Sequence, residues 1–305
     1  MRIVAALGGN ALLERGEPAE SDIQEHHVLA AAEALAAVAR EHELVLTHGN
    51  GPQVGLLALE SERDPALRRP YPFDVLGAQT QGMIGYWLAQ ALQNATGRPA
   101  AGLVSRTLVR ADDPAFAVPA KFVGPVYDRA TAERLAAERG WEVRPDGAAW
   151  RRVVPSPEPV ELIELPFVKA LMESGAIVVC GGGGGIPVAA ASPGLRGVEA
   201  VVDKDLTAAL IAREIGADAL VLLTDVEAVQ DDYGTPRARP IRDVGSRELR
   251  SRDFPAGSMG PKVEAACRFV ENGGKFAAIG RLTAAAGLVA GTAGTIVRAC
   301  GPGFS

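Results

Sequence analysis

The sequence predicts an α/β fold in which a mainly parallel sheet is covered by helices on both faces. Short apolar runs rich in β-branched residues alternate with longer segments of helical pattern, which is typical of consecutive βαβ units. Glycine-bearing loops follow several of the apolar runs, and one of them contains five consecutive glycines, Gly181–Gly185. Because such loops meet at one edge of a parallel sheet, the sequence also predicts a ligand site there.

The composition indicates one large globular unit. The 305 residues are 48% hydrophobic and 22% charged, with a net charge of −6 and no basic stripe, so we expect no nucleic-acid partner. We expect a cytoplasmic protein with no membrane span, because no signal-peptide pattern and no sufficiently long apolar run occur. Cys180, Cys267 and Cys300 have no metal-ligand spacing and are expected to be free thiols.

The first predicted strand, residues 2–7, stops at the glycine pair Gly8-Gly9 and at Asn10. An Ala-rich helix follows over residues 21–41, and the spacing of Ser21 and Gln24 predicts a capping box at its start.

The second strand is predicted at residues 43–47, and it ends in a second glycine-bearing loop, residues 48–55. Residues 73–94 have a helical pattern that includes Gly82 and Gly85. Glycine costs helix stability, so these two positions indicate close packing against another helix or subunit.

A third strand is predicted at residues 102–109, after which the sequence changes character. The segment 111–152 is rich in Pro, Gly, Asp and Trp, and we interpret it as a small inserted subdomain, a lid, with one short helix at 131–139. The alternation resumes with a helix at 164–174 and a strand that leads into the glycine run.

The remaining sequence predicts two more helices that begin at the ligand-binding edge of the predicted sheet. One starts at Asp203-Lys204-Asp205 and is followed by a strand ending at Asp225, then by a hairpin or long loop around Tyr233. The other opens within Gly257–Lys262, with Pro261 suited to the first helical position. The last strands are expected at 275–279 and 295–298.

The glycine run predicts an anion cradle, because glycines expose backbone N–H groups and adopt positive φ without strain. The alternative is a flexible linker or a plain turn, which would usually contain polar residues. The run fits neither the Walker pattern nor the dinucleotide fingerprint.

Two lysines, Lys204 and Lys262, lie in first helical turns, where a cation is unfavourable. A phosphate bound at the same helix ends would explain both positions. Lysines, glycine N–H groups and an aspartate suit phosphoryl transfer, which needs charge neutralisation and positioning and no histidine base. We expect His48 to shape its loop by hydrogen bonding.

Eight stretches of sequence, spread along the whole chain, together form a pattern that is specific to one protein family. They are Ala6–Ala11, Thr47–Gly55, Gln79–Trp87, Asp113–Phe116 with Lys121–Tyr127, Trp150–Pro157, Gly181–Val188, Gly197–Asp205 and Gly257–Ala265. With them the sequence closely resembles the carbamate kinases of the amino acid kinase superfamily. The resemblance implies a single domain over residues 1–305, with an open sheet of about eight strands and a protruding subdomain at 111–152.

The resemblance also implies the chemistry: reversible phosphoryl transfer between ATP and carbamate, giving ADP and carbamoyl phosphate, with Mg²⁺ held mainly by the nucleotide phosphates. It further implies a homodimer and ATP production in arginine catabolism. The expected catalytic residues are Lys121, Lys204, Asp205 and Lys262. Carbamate and the phosphoryl group are expected at Gly8, Gly9, Asn10, Asn50, Gly51, Gly181, Gly182 and Gly183. The nucleotide is expected at Asp225, Tyr233, Met259 and Lys262.

One family feature is replaced in this chain. Many members of the superfamily have a lysine at the position of Ala6, and Lys121 is the candidate for the missing cation, arriving as the lid closes. Ser105, Arg110 and Ala120 also depart from the family pattern.

Three alternatives remain open at this stage. A sister kinase could phosphorylate a carboxylate such as acetylglutamate or glutamate. A regulatory protein could bind nucleotide without catalysis, although all four catalytic candidates are present. A Rossmann dehydrogenase is disfavoured, because no Gly-x-Gly-x-x-Gly follows the first strand.

Overall fold

A computed structural model describes residues 1–14, 16–255 and 257–299. The helices of these residues are α1 (Ser21–Glu41), α2 (Gly51–Arg63), α3 (Phe73–Thr96), α4 (Arg129–Arg139), α5 (Leu165–Glu173), α6 (Lys204–Glu214), α7 (Ser246–Arg250), α8 (Met259–Glu271) and α9 (Ala285–Val289). The strands are β1 (Arg2–Leu7), β2 (Glu43–His48), β3 (Ala100–Gly102), β4 (Arg106–Val109), β5 (Lys121–Tyr127), β6 (Glu142–Asp146), β7 (Ala149–Val154), β8 (Glu161–Leu162), β9 (Ile177–Val179), β10 (Ile186–Ala190), β11 (Leu195–Gly197), β12 (Ala219–Thr224), β13 (Gln230–Asp231), β14 (Arg239–Pro240), β15 (Asp243–Gly245), β16 (Phe276–Arg281) and β17 (Thr295–Arg298).

The main sheet has eight strands in the order β15-β17-β16-β12-β1-β2-β9-β3. Its neighbours pair in parallel, except for the antiparallel pair β16 and β17. The carboxyl ends of β1, β2, β9 and β12 therefore meet at one edge. The predicted α/β class, with its mostly parallel sheet of about eight strands, is confirmed.

Helices cover both faces of the main sheet, and the side chains of each central strand alternate between the two layers. In β1, Ile3, Ala5 and Leu7 pack in one cluster with α1 and α3, while Val4 and Ala6 pack in the other with α6 and α8. Because the faces are both buried, every residue of β1 except the first is inside.

The single strand predicted at 102–109 is wrong, because the chain forms two separate strands there. β3 is the edge of the main sheet, whereas β4 belongs to a second sheet of order β11-β10-β4-β8. The bend between them is fixed by distant contacts. A Cβ at Gly102 would lie 2.9 Å from the backbone of Gly85, and the side chain of Gln81 bonds both the N–H and the carbonyl of Ser105.

The segment after β4 has a sheet of its own, with the antiparallel order β5-β7-β6, and it contains α4. Asp128 caps α4 by accepting the N–H of Thr131 at 2.9 Å, so the helix starts before the predicted residue 131. This separate sheet supports our proposal that 111–152 is an inserted subdomain.

Helices α1 and α8 begin where the sequence predicts, but the predicted capping box of α1 and the predicted first helical position of Pro261 in α8 are wrong. Helix α1 has no side-chain cap at its start; Gln24 donates to the carbonyls of Ala19 and Glu20, because Ser21 already has helical geometry. Helix α8 begins at Met259, so Pro261 is its third residue. The predicted hairpin around Tyr233 is present as β13 and β14.

Cys180 and Cys267 are buried free thiols, as predicted, and Cys300 lies outside the described residues. Within those residues, no helix combines the length and the apolar character that a membrane crossing requires.

Candidate active site

The loops that follow β1, β2 and β9 contact one another at the carboxyl edge of the main sheet. A Cβ on Gly49 would lie 2.7 Å from the backbone nitrogen of Gly9, and a Cβ on Gly183 would lie 2.2 Å from Nδ2 of Asn50. The structure therefore brings together the two predicted glycine loops and the glycine run. Asn50 is itself held by donating to the hydroxyl of Thr80 at 2.9 Å.

The glycine run folds into a tight turn that only glycine can adopt. Gly181, Gly183, Gly184 and Gly185 all have positive φ, between 62° and 90°. A side chain would also collide with its neighbours, since a Cβ at Gly182 would lie 2.2 Å from Nε2 of His48. The run is thus a rigid loop of backbone, as an anion cradle requires.

Buried polar side chains hold this loop in place, and their roles were missed by the sequence reasoning. Gln81 donates to the carbonyl of Gly182 at 2.9 Å, and the hydroxyl of Ser105 accepts the N–H of Gly181 at 2.8 Å. Thr107 and Thr207 both donate to the carbonyl of Gly184. The sequence signal that could have identified such a side chain was a polar residue inside an apolar helix, as Gln81 is in α3.

Two lysines share one buried aspartate at the start of α6. Asp205 accepts Nζ of Lys204 on one oxygen at 2.5 Å and Nζ of Lys262 on the other at 2.9 Å. The side chain of Asp205 is 5% exposed, and those of the lysines are 12% and 13% exposed. The cluster holds two positive charges against one negative charge, so it attracts a further anion.

Burial and charge act in opposite directions on these groups. Burial raises the pKa of Asp205, but the two lysines outweigh that effect and hold it well below its usual range. Burial, aided by repulsion from Lys262, lowers the pKa of Lys204, although Asp205 opposes this. Asp205 is therefore an ionised carboxylate that keeps two cations close together.

The fourth catalytic candidate approaches from the segment with its own sheet. Nζ of Lys121, the first residue of β5, donates to Oδ2 of Asp203 at 2.7 Å. Asp203 is the residue before Lys204, so Lys121 lies beside the start of α6. Ala6, the position at which we expected Lys121 to replace a missing cation, is fully buried on the sheet face that α6 covers.

The loops after β1, β2 and β9, together with the starts of α6 and α8, form the region that we call the cleft, and His48 is a neutral residue of its wall. Burial lowers its pKa to about 4, Lys204 adds to the effect, and the hydrogen bond between Nδ1 and the carbonyl of Gly49 opposes it. At neutral pH the ring shapes its loop, in agreement with the sequence-based expectation.

The residues expected to bind the nucleotide lie less close together than the catalytic candidates do. Asp225 follows β12 and accepts from Nδ2 of Asn10 at 3.5 Å, and Met259 begins α8, which bears Lys262. Tyr233 is exposed on the β13–β14 hairpin. The structure therefore connects Asp225 and Met259 to the cleft and leaves Tyr233 outside its hydrogen-bonded part.

The described residues contain no cluster of three or more His, Cys, Asp or Glu side chains that could hold a metal ion. Both oxygens of Asp205 are occupied by lysines. The donor set fits a metal that arrives with its own phosphate ligands and does not fit a protein cage.

Both the sequence and the fold are similar to those of known proteins. The amino acid kinase family matches residues 1–280. The carbamate kinase of Rhizobium meliloti strain 1021 is 50% identical over 97% of this chain and 93% of its own length, and that of Haemophilus influenzae is 48% identical over 97% and 96%. The solved structure of Giardia lamblia carbamate kinase bound to AMP-PNP has a TM-score of 0.89 and 38% identity, covering 98% of both chains.

Proposed function

The chain belongs to the amino acid kinase family, and we infer from its cleft that it transfers a phosphoryl group reversibly between ATP and carbamate. The most similar relatives described above are carbamate kinases, which argues against the alternatives of a sister carboxylate kinase and a dehydrogenase. The observation that supports our assignment of the chemistry is the cluster of Lys204, Asp205 and Lys262 beside a rigid glycine loop.

The reaction joins two anions, and the main obstacle is their mutual repulsion. We assign Lys204 and Lys262 to the oxygens of the transferred phosphoryl group, with Lys262 nearer the nucleotide, and Asp205 to holding both cations in position. Carbamate already has a nucleophilic oxygen, so a general base is not required. Lys121 would neutralise the acceptor side.

The glycine loops would bind the reacting groups through backbone N–H donors. Their members are Gly8, Gly9, Asn10, Asn50, Gly51, Gly181, Gly182 and Gly183. Because backbone donors held by Gln81 and Ser105 cannot reorient, the cradle would be preorganised for the charge that develops on the oxygens. We assign Asp225, Tyr233 and Met259 to the nucleotide.

We propose that Mg²⁺ enters with ATP or ADP, held mainly by the nucleotide phosphates. When bound, it neutralises phosphate charge. We further propose, on the family resemblance, a cytoplasmic enzyme that makes ATP from carbamoyl phosphate in arginine catabolism.

We also propose that the enzyme is a homodimer formed through helix α3. Tyr86 is 60% exposed on this helix, and Gly82 offers a flat, exposed position one turn earlier. Gly85, the residue before Tyr86, contacts the edge strand β3. An exposed aromatic side chain next to a sheet edge suits a second copy of the chain.

The deciding experiment measures ATP formation from ADP, Mg²⁺ and carbamoyl phosphate, with acetyl phosphate as the comparison donor. We expect fast turnover with carbamoyl phosphate and much slower turnover with acetyl phosphate. Lys204→Met should lower kcat by about 10²- to 10³-fold, whereas Lys169→Met, which changes an exposed lysine on α5, should not. Equal use of both donors would contradict the assignment to carbamate.

A further inference from the structure

The carboxylate of Asp203 serves two parts of the molecule at once. Its Oδ1 accepts the N–H groups of Asp205 and Leu206 at 2.9 and 3.3 Å, and thereby caps α6. Its Oδ2 accepts Nζ of Lys121 at 2.7 Å. Asp203 is only 8% exposed and the side chain of Lys121 is 35% exposed, so this ion pair is partly shielded from water.

The backbone on both sides of this ion pair is already fixed. Lys121 pairs with Val154 across the sheet of the inserted segment, and the neighbouring Pro155 accepts the N–H of Val201 at 3.0 Å. The base of the segment therefore lies beside the start of α6. What remains free is the direction of the Lys121 side chain, which has four carbons and many rotamers.

We propose that Asp203 is a positioning residue that aims Lys121 at the acceptor side of the cleft. The proposal rests on the assignment of Lys121 to phosphoryl transfer. Because the same carboxylate caps the helix that begins with Lys204, Asp203 also fixes the two lysines relative to each other. Carbamoyl phosphate then meets cations that are already in place, instead of ordering a mobile lysine itself.

The test is Asp203→Asn, which retains an oxygen to cap α6 and removes the negative charge that holds Lys121. We expect kcat/KM for carbamoyl phosphate to fall about tenfold while the Kd of ADP stays within about twofold. Asp128→Asn is the matched control, since Asp128 also caps a helix but forms no ion pair with a lysine or arginine among the described residues. It should leave both quantities unchanged.

Lys121→Ala separates a positioning role from a structural one. If Asp203 acts through Lys121, Asp203→Asn should change kcat/KM by less than about twofold in the Lys121→Ala background. Losses that add, together with weaker ADP binding, would show a structural cap and overturn the proposal.

Two further outcomes distinguish the proposed role of Asp203 from the role of Lys121 on which it rests. Lys121→Ala with normal kinetics would overturn both the role of Lys121 and the role of Asp203. Impaired Lys121→Ala beside a normal Asp203→Asn would overturn the role of Asp203 alone. If Asp203→Asn does not fold, Asp203→Ser keeps a cap acceptor without charge and gives the same comparison.

Discussion

At the scale of single residues, His48 couples the protonation of the cleft wall to the stability of the fold. This residue is 1% exposed, and its pKa is lowered from 6.5 to about 4, chiefly by burial. Between these two pH values the unfolded chain binds a proton that the native protein does not. Protonation therefore favours the unfolded state as the pH falls through this window.

We expect the free energy of unfolding to drop by up to about 3 kcal/mol between pH 6.5 and pH 4 because of His48. Urea unfolding at a series of pH values measures this. His48→Asn, whose amide can replace Nδ1 at the carbonyl of Gly49, should flatten the dependence, although it lowers stability at pH 7. His26→Asn on the exposed face of α1 is the control. Parallel curves for wild type and His48→Asn would contradict the expectation.

Gly183 is the second residue with a sharp consequence. Alanine there would be strained at φ of 64° and would overlap Asn50. We expect Gly183→Ala to lower kcat/KM for carbamoyl phosphate by at least about tenfold. Gly97→Ala has the same kind of positive φ in open space and should cost only about 1–2 kcal/mol of stability, with normal kinetics. Equal kinetics in the two variants would contradict a role for the cradle.

At the scale of elements, the segment that carries β5, β6 and β7 is fastened to helix α3 by Arg152 of β7. Its guanidinium lies 4.6 Å from the ring centre of Trp141, within the segment, and 4.8 Å from that of Phe73, the first residue of α3. It also bonds Glu199 at 2.9 Å, and the other oxygen of Glu199 accepts the N–H of Phe73. This stack is therefore a further attachment of the segment, besides the Lys121–Asp203 pair and the ion pair of Arg139 with Glu62 of α2.

We expect Arg152→Lys to loosen the segment, because an ammonium group cannot stack between two rings and bond a carboxylate as a planar guanidinium does. Hydrogen exchange in residues 121–154 should become faster, and the variant should lose about 1–2 kcal/mol of stability. Arg134→Lys, in an exposed pair with Glu138, should change neither. Unchanged exchange in Arg152→Lys would mean that the stack is not an anchor.

The elements also show what the sequence could predict. Glycines after apolar runs mark strand ends, because they reflect local backbone needs, and those loops were found where expected. The break between Gly102 and Arg106 was not predictable in this way. It depends on Gly85 and Gln81, which are distant in the sequence and act through a close backbone contact and a buried amide.

The same limit applied to the site. Lys204 and Lys262 were identifiable because a cation at a helix start is unfavourable unless something binds there. Their sharing of Asp205 depends on how α6 packs beside α8, which no local pattern encodes. Thr207 resembles any helical threonine until its bond to Gly184 is seen.

At the scale of the whole molecule, the proposed dimer is open to a direct test. Tyr86→Glu places a charge on the exposed face of α3, and we expect it to weaken self-association by at least about tenfold. Sedimentation velocity over a range of concentrations measures this. Tyr71→Glu, at an exposed position before α3, should sediment as the wild type does. A monomeric wild type would contradict the proposed dimer.

The position of β1 in the main sheet has a consequence for how the protein is made. β1 lies between β2, which follows it closely in the chain, and β12, which is translated much later. The N–H of Arg2 bonds a side chain 216 residues away. During translation, β1 therefore leaves the ribosome long before β12, and one of its edges stays unpaired until β12 has been made. The order of synthesis thus exposes the centre of the sheet longest, and a nascent chain that stops before residue 219 should need chaperone protection at that edge.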